Sequence, residues 1–381
     1  MIRILHLSDF HYKAKHDADF KNVSNKIAKI LENIKIDIVI FSGDLVFDAN
    51  SYSVIENAVN CFIEPIKEVT GLDNSRILIA PGNHDMKRNE ELPCIQDAFS
   101  KYDSYQQIDN YCSNEKQLKC SLANFENYNT FMSKFYNGTM TVTPLYTYNT
   151  IAVSGKKIGL IAFNSAWRSI DSKHDRGHLV YPVYMVYEAF EKIGKCDLVL
   201  CTQHHNLSDY TDSVCQQIEE VINEKCHILF TGHYHKNGIQ TYHNAETGLL
   251  HLIAPATYNR GDGFSNYGFS ILEIDEETLE GNLITYCKNG TEFIETAKKP
   301  ASVPVSEIKK QLNDFRKLLK KRQWQATEKA DALFVSGKSG VFNSLFKNPI
   351  IKNKSVQEIL TSRAEGEYFK LDDIVNKKKS A

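Results

Sequence analysis

Six short apolar runs recur along this chain, and each ends in polar residues that can bind a metal ion or a phosphate. Runs rich in Ile, Val and Leu with little alternation are typical of strands buried on both faces of a sheet. The runs and the polar residues at their ends are "IRILHLSD" with Asp9, "IDIVIFSGD" with Asp44, "RILIAPGNHD" with Asn83, His84 and Asp85, "KIGLIAFNS" with Asn164, "CDLVLCTQHH" with His204 and His205, and "CHILFTGHYH" with His233 and His235.

A helical segment separates the first two runs. Within "DFKNVSNKIAKILENIKI", the apolar residues Val23, Ile27, Ile30, Leu31 and Ile34 follow helical spacing. The succession of strand, helix and strand is the signature of an α/β fold with parallel strands. Ligands of such sheets bind beyond the carboxyl ends of the strands, so we predict that all six polar clusters lie at that edge.

Charge is spread unevenly over the 381 residues, whose formal net charge is −2. Residues 301–381 contain 17 Lys and Arg against 9 Asp and Glu, so the part before them is acidic. We therefore predict a large α/β domain over residues 1–300 and a basic, mainly helical C-terminal extension over residues 301–381. An apolar stripe in this extension favours docking on a protein partner or on the chain's own body. Binding of nucleic-acid phosphates is the alternative. The stripe consists of Ile308, Leu312, Phe315 and Leu319.

Residues 86–150 break the alternation of apolar runs and polar clusters. They are rich in Tyr, Phe, Asn and Lys and show weak helical patterning, which indicates an insertion after the third cluster. This insertion would be either a lid near the site or a helical excursion that does not contact the substrate. Beyond residue 240, the runs "HLIAPAT", "GFSILEID" and "NLITYCK" predict strands that close a second sheet.

The cysteines and the N-terminal run indicate the compartment. The chain has 9 Cys, an odd number, and no CxxC pair, which is typical of buried thiols in a reducing environment. The first apolar run is too short for a signal peptide, and no run of about 18 apolar residues predicts a membrane span. We therefore expect a cytoplasmic protein that does not bind membranes.

The order of the polar clusters predicts a site for two divalent metal ions. Two cations about 3.5–4 Å apart need an anion between them, and the carboxylate of Asp44 is the candidate bridge. Zinc, iron and manganese accept imidazole and carboxylate ligands, and an amide adds an oxygen without charge. Glycines before Asp44, Asn83 and His233 would let the backbone turn tightly after each strand. The other candidate ligands are Asp9, His11, Asn83, His204, His233 and His235.

Simpler interpretations apply to several single residues. Each aspartate of the set could be a helix N-cap, because it follows a strand. His6 and His227 lie inside strands and are assigned to the core, whereas His174 and His178 are assigned to a solvated loop. Arg168 could reach a phosphate or lie on the surface. A purely structural role does not explain all seven candidate ligands together. Burying that many polar groups at one edge would cost free energy unless they bound a partner such as a metal ion.

The ordered motifs D-x-H, G-D, G-N-H-D, a strand-end His and G-H-x-H resemble those of the calcineurin-like metallophosphoesterase superfamily. The resemblance covers roughly residues 1–290 and implies a two-sheet α/β/β/α sandwich. It implies two divalent ions, with manganese preferred and iron or zinc as alternatives. It also implies ligands for each ion: Asp9, His11 and His235 for the first, Asn83, His204 and His233 for the second, and Asp44 for both. The family usually uses the first histidine of a pair such as that in "QHHN", so His204 is preferred over His205.

The same resemblance implies catalytic roles for the residues that follow Asn83. His84 would contact the phosphate and the leaving-group oxygen as an electrostatic helper or a general acid, and Asp85 would orient His84. The metals would lower the pKa of a bridging water, and the hydroxide would attack phosphorus in line with the leaving oxygen.

Two resemblances point to phosphodiesters as substrates. The segment "FNS…RGHLVYPVYMVYEAF" is similar to one in bacterial cyclic-nucleotide phosphodiesterases, whereas "HLSDFHY" and "GDLVFD" are similar to the nuclease subunit of double-strand-break repair complexes. We therefore expect hydrolysis of a phosphodiester bond in a cyclic nucleotide or a nucleic acid. One alternative is a DNA nuclease subunit that works with an ATPase partner docked on residues 301–381. Another is a non-catalytic binding or regulatory subunit.

Overall fold

The computed structural model describes residues 1–87, 99, 101–102, 104–170, 174–243, 248–258 and 267–304. These residues form two mixed β-sheets with helices packed on them, which confirms the predicted α/β/β/α sandwich. Within these ranges, no helix is both long enough and apolar enough to cross a membrane.

The two sheets are built from strands that are mostly short and buried. In chain order the strands are β1 Ile2–Leu7, β2 Ile38–Phe41, β3 Ile77–Ile79, β4 Thr141–Val142, β5 Tyr146–Val153, β6 Lys156–Phe163, β7 Leu198–Thr202, β8 Ile228–Thr231, β9 Gly238–His243, β10 Gly248–Ile253, β11 Gly268–Ile274, β12 Glu280–Asn289 and β13 Glu292–Ser302. The first sheet has the order β13-β12-β11-β1-β2-β3, and the second has the order β4-β5-β6-β7-β8-β10-β9.

The six apolar runs of the sequence form two parallel groups of strands. Strands β1, β2 and β3 run parallel in the first sheet. Strands β6, β7 and β8 run parallel in the second sheet. Because parallel strands end at the same edge of a sheet, each group brings three of the polar clusters together.

Helices connect and cover these strands. In chain order the α-helices are α1 Asp17–Leu31, α2 Tyr52–Ala58, α3 Glu64–Thr70, α4 Tyr105–Cys112, α5 Glu115–Ser121, α6 Glu126–Tyr136, α7 Val183–Ile193 and α8 Asp212–Lys225. A π-helical turn, Val59–Ile63, joins α2 to α3, and short 3₁₀ turns span Ala14–His16, Asn74–Arg76, Ala123–Phe125 and Leu207–Asp209. Helix α1 lies between β1 and β2, as its apolar spacing predicts.

Successive side chains of a strand point to opposite faces of its sheet. One face packs against the helices, and the other faces the second sheet. Phe41 of β2 packs against Phe62 of the π-helical turn, with ring centroids 5.9 Å apart. His6 of β1 points the other way, and its ring lies 4.9 Å from that of Phe230 in β8. Burial, with a contribution from His251, lowers the pKa of His6 to about 3, so this ring is a neutral core group, as predicted.

The described part of the predicted insertion is helical from Tyr105 to Tyr136 and packs beside the edge strand β3. The hydroxyl of Tyr136 donates to the carbonyl oxygen of Ile77 and accepts from the backbone N–H of Ile79, both at 3.1 Å. From residue 141 onward the chain belongs to the second sheet, because β4 pairs with β5 and β5 pairs with β6. The insertion proper is therefore shorter than the sequence suggested, and its role as a lid stays a prediction.

The strands after residue 240 differ from their predicted arrangement. Only β10 joins the second sheet with β9, whereas β11 pairs with β1 and extends the first sheet. The apolar composition of these runs reveals strands but carries no information about which sheet they join. At the predicted boundary near residue 300, β13 continues to Ser302. The predicted basic extension lies outside the described residues from residue 305 onward.

We expect the substitution Tyr136→Phe to lower the free energy of unfolding by about 1–3 kcal/mol, because it leaves two buried backbone groups of β3 without their partner. Urea denaturation followed by circular dichroism measures this loss. Tyr148→Phe is the control, since no hydrogen bond of the Tyr148 hydroxyl occurs among the described residues, and it should change stability by less than about 0.5 kcal/mol. Equal stability of the two variants would contradict the prediction.

Candidate metal centre

All seven candidate ligands lie just beyond the carboxyl ends of five parallel strands. They follow β1, β2, β3, β7 and β8, and they come together where the two sheets meet. The seven residues are Asp9, His11, Asp44, Asn83, His204, His233 and His235.

Three of these side chains form a first cluster. The Nε2 atom of His235 lies 3.1 Å from Oδ1 of Asp9 and 3.4 Å from Nε2 of His11. The Nε2 atom of His11 is also 3.7 Å from Oδ1 of Asp9. Two nitrogens and one carboxylate oxygen therefore face a common point, which is the donor set the sequence predicted for the first metal.

A second cluster is arranged around the buried ring of His204. Its Nε2 atom lies 3.2 Å from Oδ1 of Asn83, 3.2 Å from Nδ1 of His233 and 3.2 Å from Oδ2 of Asp44. This oxygen of Asp44 is also 3.7 Å from Nε2 of His11 in the first cluster. One carboxylate thus belongs to both clusters, as a bridging ligand must.

The donor set of the second cluster fits a cation. The backbone carbonyl of Ser42 lies 2.8 Å from Nδ1 of His204, and because a carbonyl only accepts, this nitrogen carries the proton. In the neutral ring, Nε2 then presents a lone pair toward the oxygens of Asn83 and Asp44. Lone pairs that face one another are stabilised by a positive charge placed between them.

The pKa values support the same conclusion. Burial alone would lower the pKa of His204, but the charge of Asp44, its hydrogen bond and the charge of Asp9 raise it to about 10. The cluster therefore attracts a positive charge, which a metal ion supplies as well as a proton does. Burial lowers the pKa of His11 and that of His233 to about 4, so both rings are neutral at pH 7 and can bind a metal.

Both aspartates of the clusters remain charged. Burial would raise the pKa of Asp9, but its hydrogen bond with His235 and the charge of His204 bring it to about 2. For Asp44, the effect of burial is outweighed by the charges of His204 and His84, which hold its pKa well below the usual range. Two anionic carboxylates among imidazole rings form a donor set suited to a borderline divalent metal.

Much of the site is built on left-handed backbone. Asp9, His11, Asp44, His233 and His235 have φ angles of 54°, 49°, 60°, 69° and 52°. Each such conformation in a residue other than glycine costs about 1–3 kcal/mol and persists only where the surrounding structure imposes it. This strain turns the chain sharply after each strand, so that side chains close in sequence can face one centre.

The three glycines that precede candidate ligands act in different ways. Gly43 has a φ of 98°, and it takes the left-handed turn that the sequence predicted. Gly82 and Gly232 do not have positive φ, and they allow a close approach instead. A Cβ atom on Gly82 would lie 2.1 Å from Oδ1 of Asp44, and one on Gly232 would lie 2.0 Å from Oγ of Ser8.

Asp85 differs from its predicted role. Its carboxylate accepts hydrogen bonds from four backbone N–H groups at 2.8–3.2 Å, those of Gly82, Asp44, Leu45 and Val46. It therefore fastens the loop after β2 to the loop after β3 and does not orient the ring of His84. Burial and the charge of Asp44 raise the pKa of Asp85 to about 7, despite these hydrogen bonds.

The backbone of Phe47 orients His84 instead. Its carbonyl oxygen lies 2.8 Å from Nδ1 of His84 and accepts a hydrogen bond from it, so Nδ1 carries a proton. The backbone N–H of His84 donates to Oδ1 of Asp44 at 2.8 Å. Nothing in the sequence indicated this use of Phe47, because a backbone carbonyl carries no residue-specific signal.

Among the other polar candidates, His205 lies beside the second cluster. It is fully buried, its Nδ1 atom lies 3.0 Å from Oγ of Ser165, and it forms a possible metal-binding group with His204 and His233. The preference for His204 over His205 therefore stays a prediction. The guanidinium of Arg168 lies 4.5 Å from the ring centroid of Phe99. His174 and His178 are exposed, as predicted, whereas His227 is half-buried.

The fold and the site define a class: a two-sheet α/β protein with metal-binding His and Asp clusters at the edge where its parallel strands end. A family model described as calcineurin-like phosphoesterase matches residues 2–237. Because this match covers more than half of the chain, the chain belongs to the calcineurin-like phosphoesterase family.

Individual relatives are distant. The chain is 23% identical over 310 residues to an uncharacterized metallophosphoesterase-like protein, YydB, of Bacillus subtilis (strain 168). This alignment covers 77% of the present chain and 60% of the relative, so the chain spans only part of that protein's length.

The similar solved structures have low sequence identity and low TM-scores. GAP50 of Plasmodium, described as the anchor in the inner membrane complex, is 9% identical with a TM-score of 0.41, over 80% of this chain and 90% of that one. A predicted phosphoesterase of Streptococcus pneumoniae is 12% identical with a TM-score of 0.32, over 79% and 97%. Vps29 of Entamoeba histolytica is 12% identical with a TM-score of 0.31, over 78% and 99%.

We expect Gly82→Ala to weaken metal binding, because the added methyl group would push Asp44 out of its position between the clusters. The measure is Mn²⁺ binding by isothermal titration calorimetry, with an expected loss of affinity of about 10- to 100-fold. Gly238→Ala is the control, since its Cβ would meet only the flexible end of Ile253 at 3.3 Å. Unchanged Mn²⁺ affinity in Gly82→Ala would contradict the prediction.

Proposed function

We propose that this chain is a dinuclear, metal-dependent phosphodiesterase. The observation that carries this proposal is the shared carboxylate: Oδ2 of Asp44 lies 3.2 Å from Nε2 of His204 and 3.7 Å from Nε2 of His11. A carboxylate placed between two sets of nitrogen and oxygen donors is what two neighbouring divalent ions require.

The two clusters divide the proposed ligands between two ions. Asp9, His11 and His235 would hold the first ion. Asn83, His204 and His233 would hold the second, and Asp44 would bind both. Ions held there supply positive charge to the phosphate oxygens and make hydroxide available near neutral pH. We propose Mn²⁺ as the metal, with iron or zinc as alternatives, because borderline metals accept mixed nitrogen and oxygen donors.

His84 is the proposed group that handles the leaving oxygen. Its ring centroid lies 4.8 Å from that of His11, and it contributes one atom to a group with His11 and Asp44 that fits within 4.8 Å. The carbonyl of Phe47 fixes the proton on Nδ1. The outer nitrogen, Nε2, can therefore contact the phosphate or, when protonated, donate its proton to the leaving oxygen.

We prefer a phosphodiester over a phosphomonoester because the segments that resemble cyclic-nucleotide phosphodiesterases and repair nucleases both point to diesters. The guanidinium of Arg168, the arginine considered for binding a phosphate, lies over the rings of Phe99 and Trp167, at 4.5 and 5.7 Å. His84 and the metals would suffice for the single negative charge of a diester, in a cyclic nucleotide or a nucleic acid.

A protein partner remains part of this proposal. The predicted docking surface is the basic segment 301–381, which would bind a protein such as an ATPase subunit if the chain is a nuclease subunit. No described residue bears on this role, so it rests on the charge and apolar spacing of the sequence alone.

We expect Asp44→Asn to remove both metal binding and activity. Asparagine keeps the acceptor for the N–H of His84 but loses the negative charge between the ions. Elemental analysis should show the manganese content falling from about two ions per chain to about one or fewer. Hydrolysis of bis(4-nitrophenyl) phosphate should be lost in parallel. Asp37→Asn is the matched control, because this buried aspartate lies at the opposite end of β2. Two ions and normal turnover in Asp44→Asn would refute the dinuclear proposal.

We expect His84→Asn to lower kcat by about 10²- to 10⁴-fold while the metal content stays unchanged, because it removes the proposed proton donor but no proposed ligand. Steady-state kinetics on the same diester, together with elemental analysis, measures both effects. His178→Asn is the control, since this exposed histidine lies in a loop. A variant that loses metal together with activity would show that His84 is a ligand instead.

A further inference from the structure

Phe47 is an exposed aromatic residue beside the metal centre. Its side chain keeps 44% of its surface exposed, which places it among the few large apolar residues of the described part of the chain that solvent reaches. The ring centroid of Phe47 lies 5.0 Å from that of His84 and 6.4 Å from that of His11. This exposed ring therefore lies against two of the candidate site residues.

The backbone holds this ring in place from both sides. The N–H of Phe47 donates to the carbonyl oxygen of Tyr12 at 3.1 Å, in a parallel bridge between Tyr12 and Val46. The carbonyl of Phe47 accepts from His84 at 2.8 Å. The segment that carries Phe47 is therefore tied both to the loop of the first cluster and to the proposed proton donor. A group resting on this ring has a defined position relative to the reacting phosphorus.

Lys13 provides a positive charge at the same place. Its Nζ atom lies 3.7 Å from the centroid of the Phe47 ring, within the range of a cation–π contact. Lys13 follows His11 by two residues and is half-buried. The four-carbon stem of lysine is flexible, so the ammonium group can leave the ring for a phosphate at little cost. The rim thus offers a planar apolar face and a mobile cation side by side.

We propose that Phe47 and Lys13 form a subsite for the nucleoside next to the reacting phosphate. This inference rests on the proposed phosphodiesterase function and names its substrate class. The nucleobase stacks on the face of Phe47, and Lys13 pairs with the phosphate. Stacking on an aromatic side chain tolerates every base, because each base has a π-face. The subsite therefore selects nucleotides over other phosphodiesters without selecting a sequence.

The first test measures binding without turnover. Adenosine 5′-monophosphate and ribose 5-phosphate are titrated into the Mn²⁺-loaded full chain by calorimetry. We expect wild type to bind the nucleotide about 5- to 100-fold more tightly than the sugar phosphate, which is the range of one stacked base. Phe47→Leu should remove most of this preference, because it keeps an apolar side chain and the backbone carbonyl but lacks the ring.

Tyr187→Leu is the matched control for this test. Tyr187 is another exposed aromatic residue, 41% exposed, on helix α7, and its loss should leave the preference unchanged. Lys13→Gln should weaken the binding of both ligands by a similar factor, because both carry the phosphate. The difference in affinity between Lys13→Gln and wild type should become smaller in high salt. Equal binding of the two ligands by wild type, or an unchanged preference in Phe47→Leu, would overturn the proposal.

A second measurement separates this inference from the proposed function. Thymidylyl-thymidine and its analogue with two abasic tetrahydrofuran sugars present the same diester with and without bases. If wild type hydrolyses neither but prefers the nucleotide in the binding test, the phosphodiesterase proposal fails and the subsite stands. If wild type and Phe47→Leu hydrolyse both diesters equally well, the subsite is wrong and the phosphodiesterase stands. The expected result is a larger loss of kcat/KM in Phe47→Leu on the diester with bases than on the abasic diester.

Discussion

The buried carboxylate of Asp44 is the group on which the rest of the site depends. Removing a charged carboxylate from water costs several kcal/mol unless partners compensate for it. The partners of Asp44 come from three other strand ends, through the ring of His204, the ring of His11 and the backbone N–H of His84. Placing this carboxylate there therefore requires the carboxyl ends of the parallel strands of both sheets to lie close together.

Two further features exist because Asp44 occupies this position. Gly82 lacks a side chain where Oδ1 of Asp44 needs room, since a Cβ would lie only 2.1 Å from that oxygen. Asp85 receives the N–H groups of Asp44, Leu45 and Val46, which stay unpaired in the sheet because the chain turns away from β2 at this point. A second buried carboxylate thus holds the backbone that carries the first.

Left-handed backbone at five of the seven candidate ligands shows how the fold supports its site. Such strain is maintained only by a rigid surrounding structure, which here consists of strands buried on both faces. The same rigidity holds Phe47 and His84 in a fixed relation to the two clusters. In the proposed function, the donors would then be positioned before any metal or substrate binds, so that little ordering is required at the moment of binding.

Several elements of the fold and the site could be predicted from the sequence. Residue type identifies which side chains can bind a metal, and apolar runs of four to eight residues indicate buried strands. Their order along the chain placed Asp9, Asp44 and His204 at one edge, because parallel strands end on the same side. The choice of His204 over His205 stays a prediction, because both rings belong to one possible metal-binding group with His233.

Other roles depended on contacts that no local pattern records. Asp85 was expected to orient His84, but its carboxylate accepts from four backbone N–H groups instead. The identity of a residue does not reveal which hydrogen-bond donors it will meet in the folded protein. Gly82 and Gly43 look alike in the sequence, and both leave room for a neighbouring side chain, yet only Gly43 also takes a left-handed turn. The strand β11 is as apolar as the strands around it, so its composition does not reveal which sheet it joins. Its pairing with β1 in the structure places it in the first sheet.

The sequence by itself determined the class of fold, the candidate ligands and the edge at which they lie, because periodicity and side-chain chemistry are properties of short segments. Only the tertiary structure decided that Asp44 lies between the two clusters, that Asp85 binds backbone and that Phe47 stands exposed beside His84. The physical reason is distance along the chain. His235 and Asp9 meet at 3.1 Å although 226 positions separate them, and such a contact is set by the packing of two whole sheets.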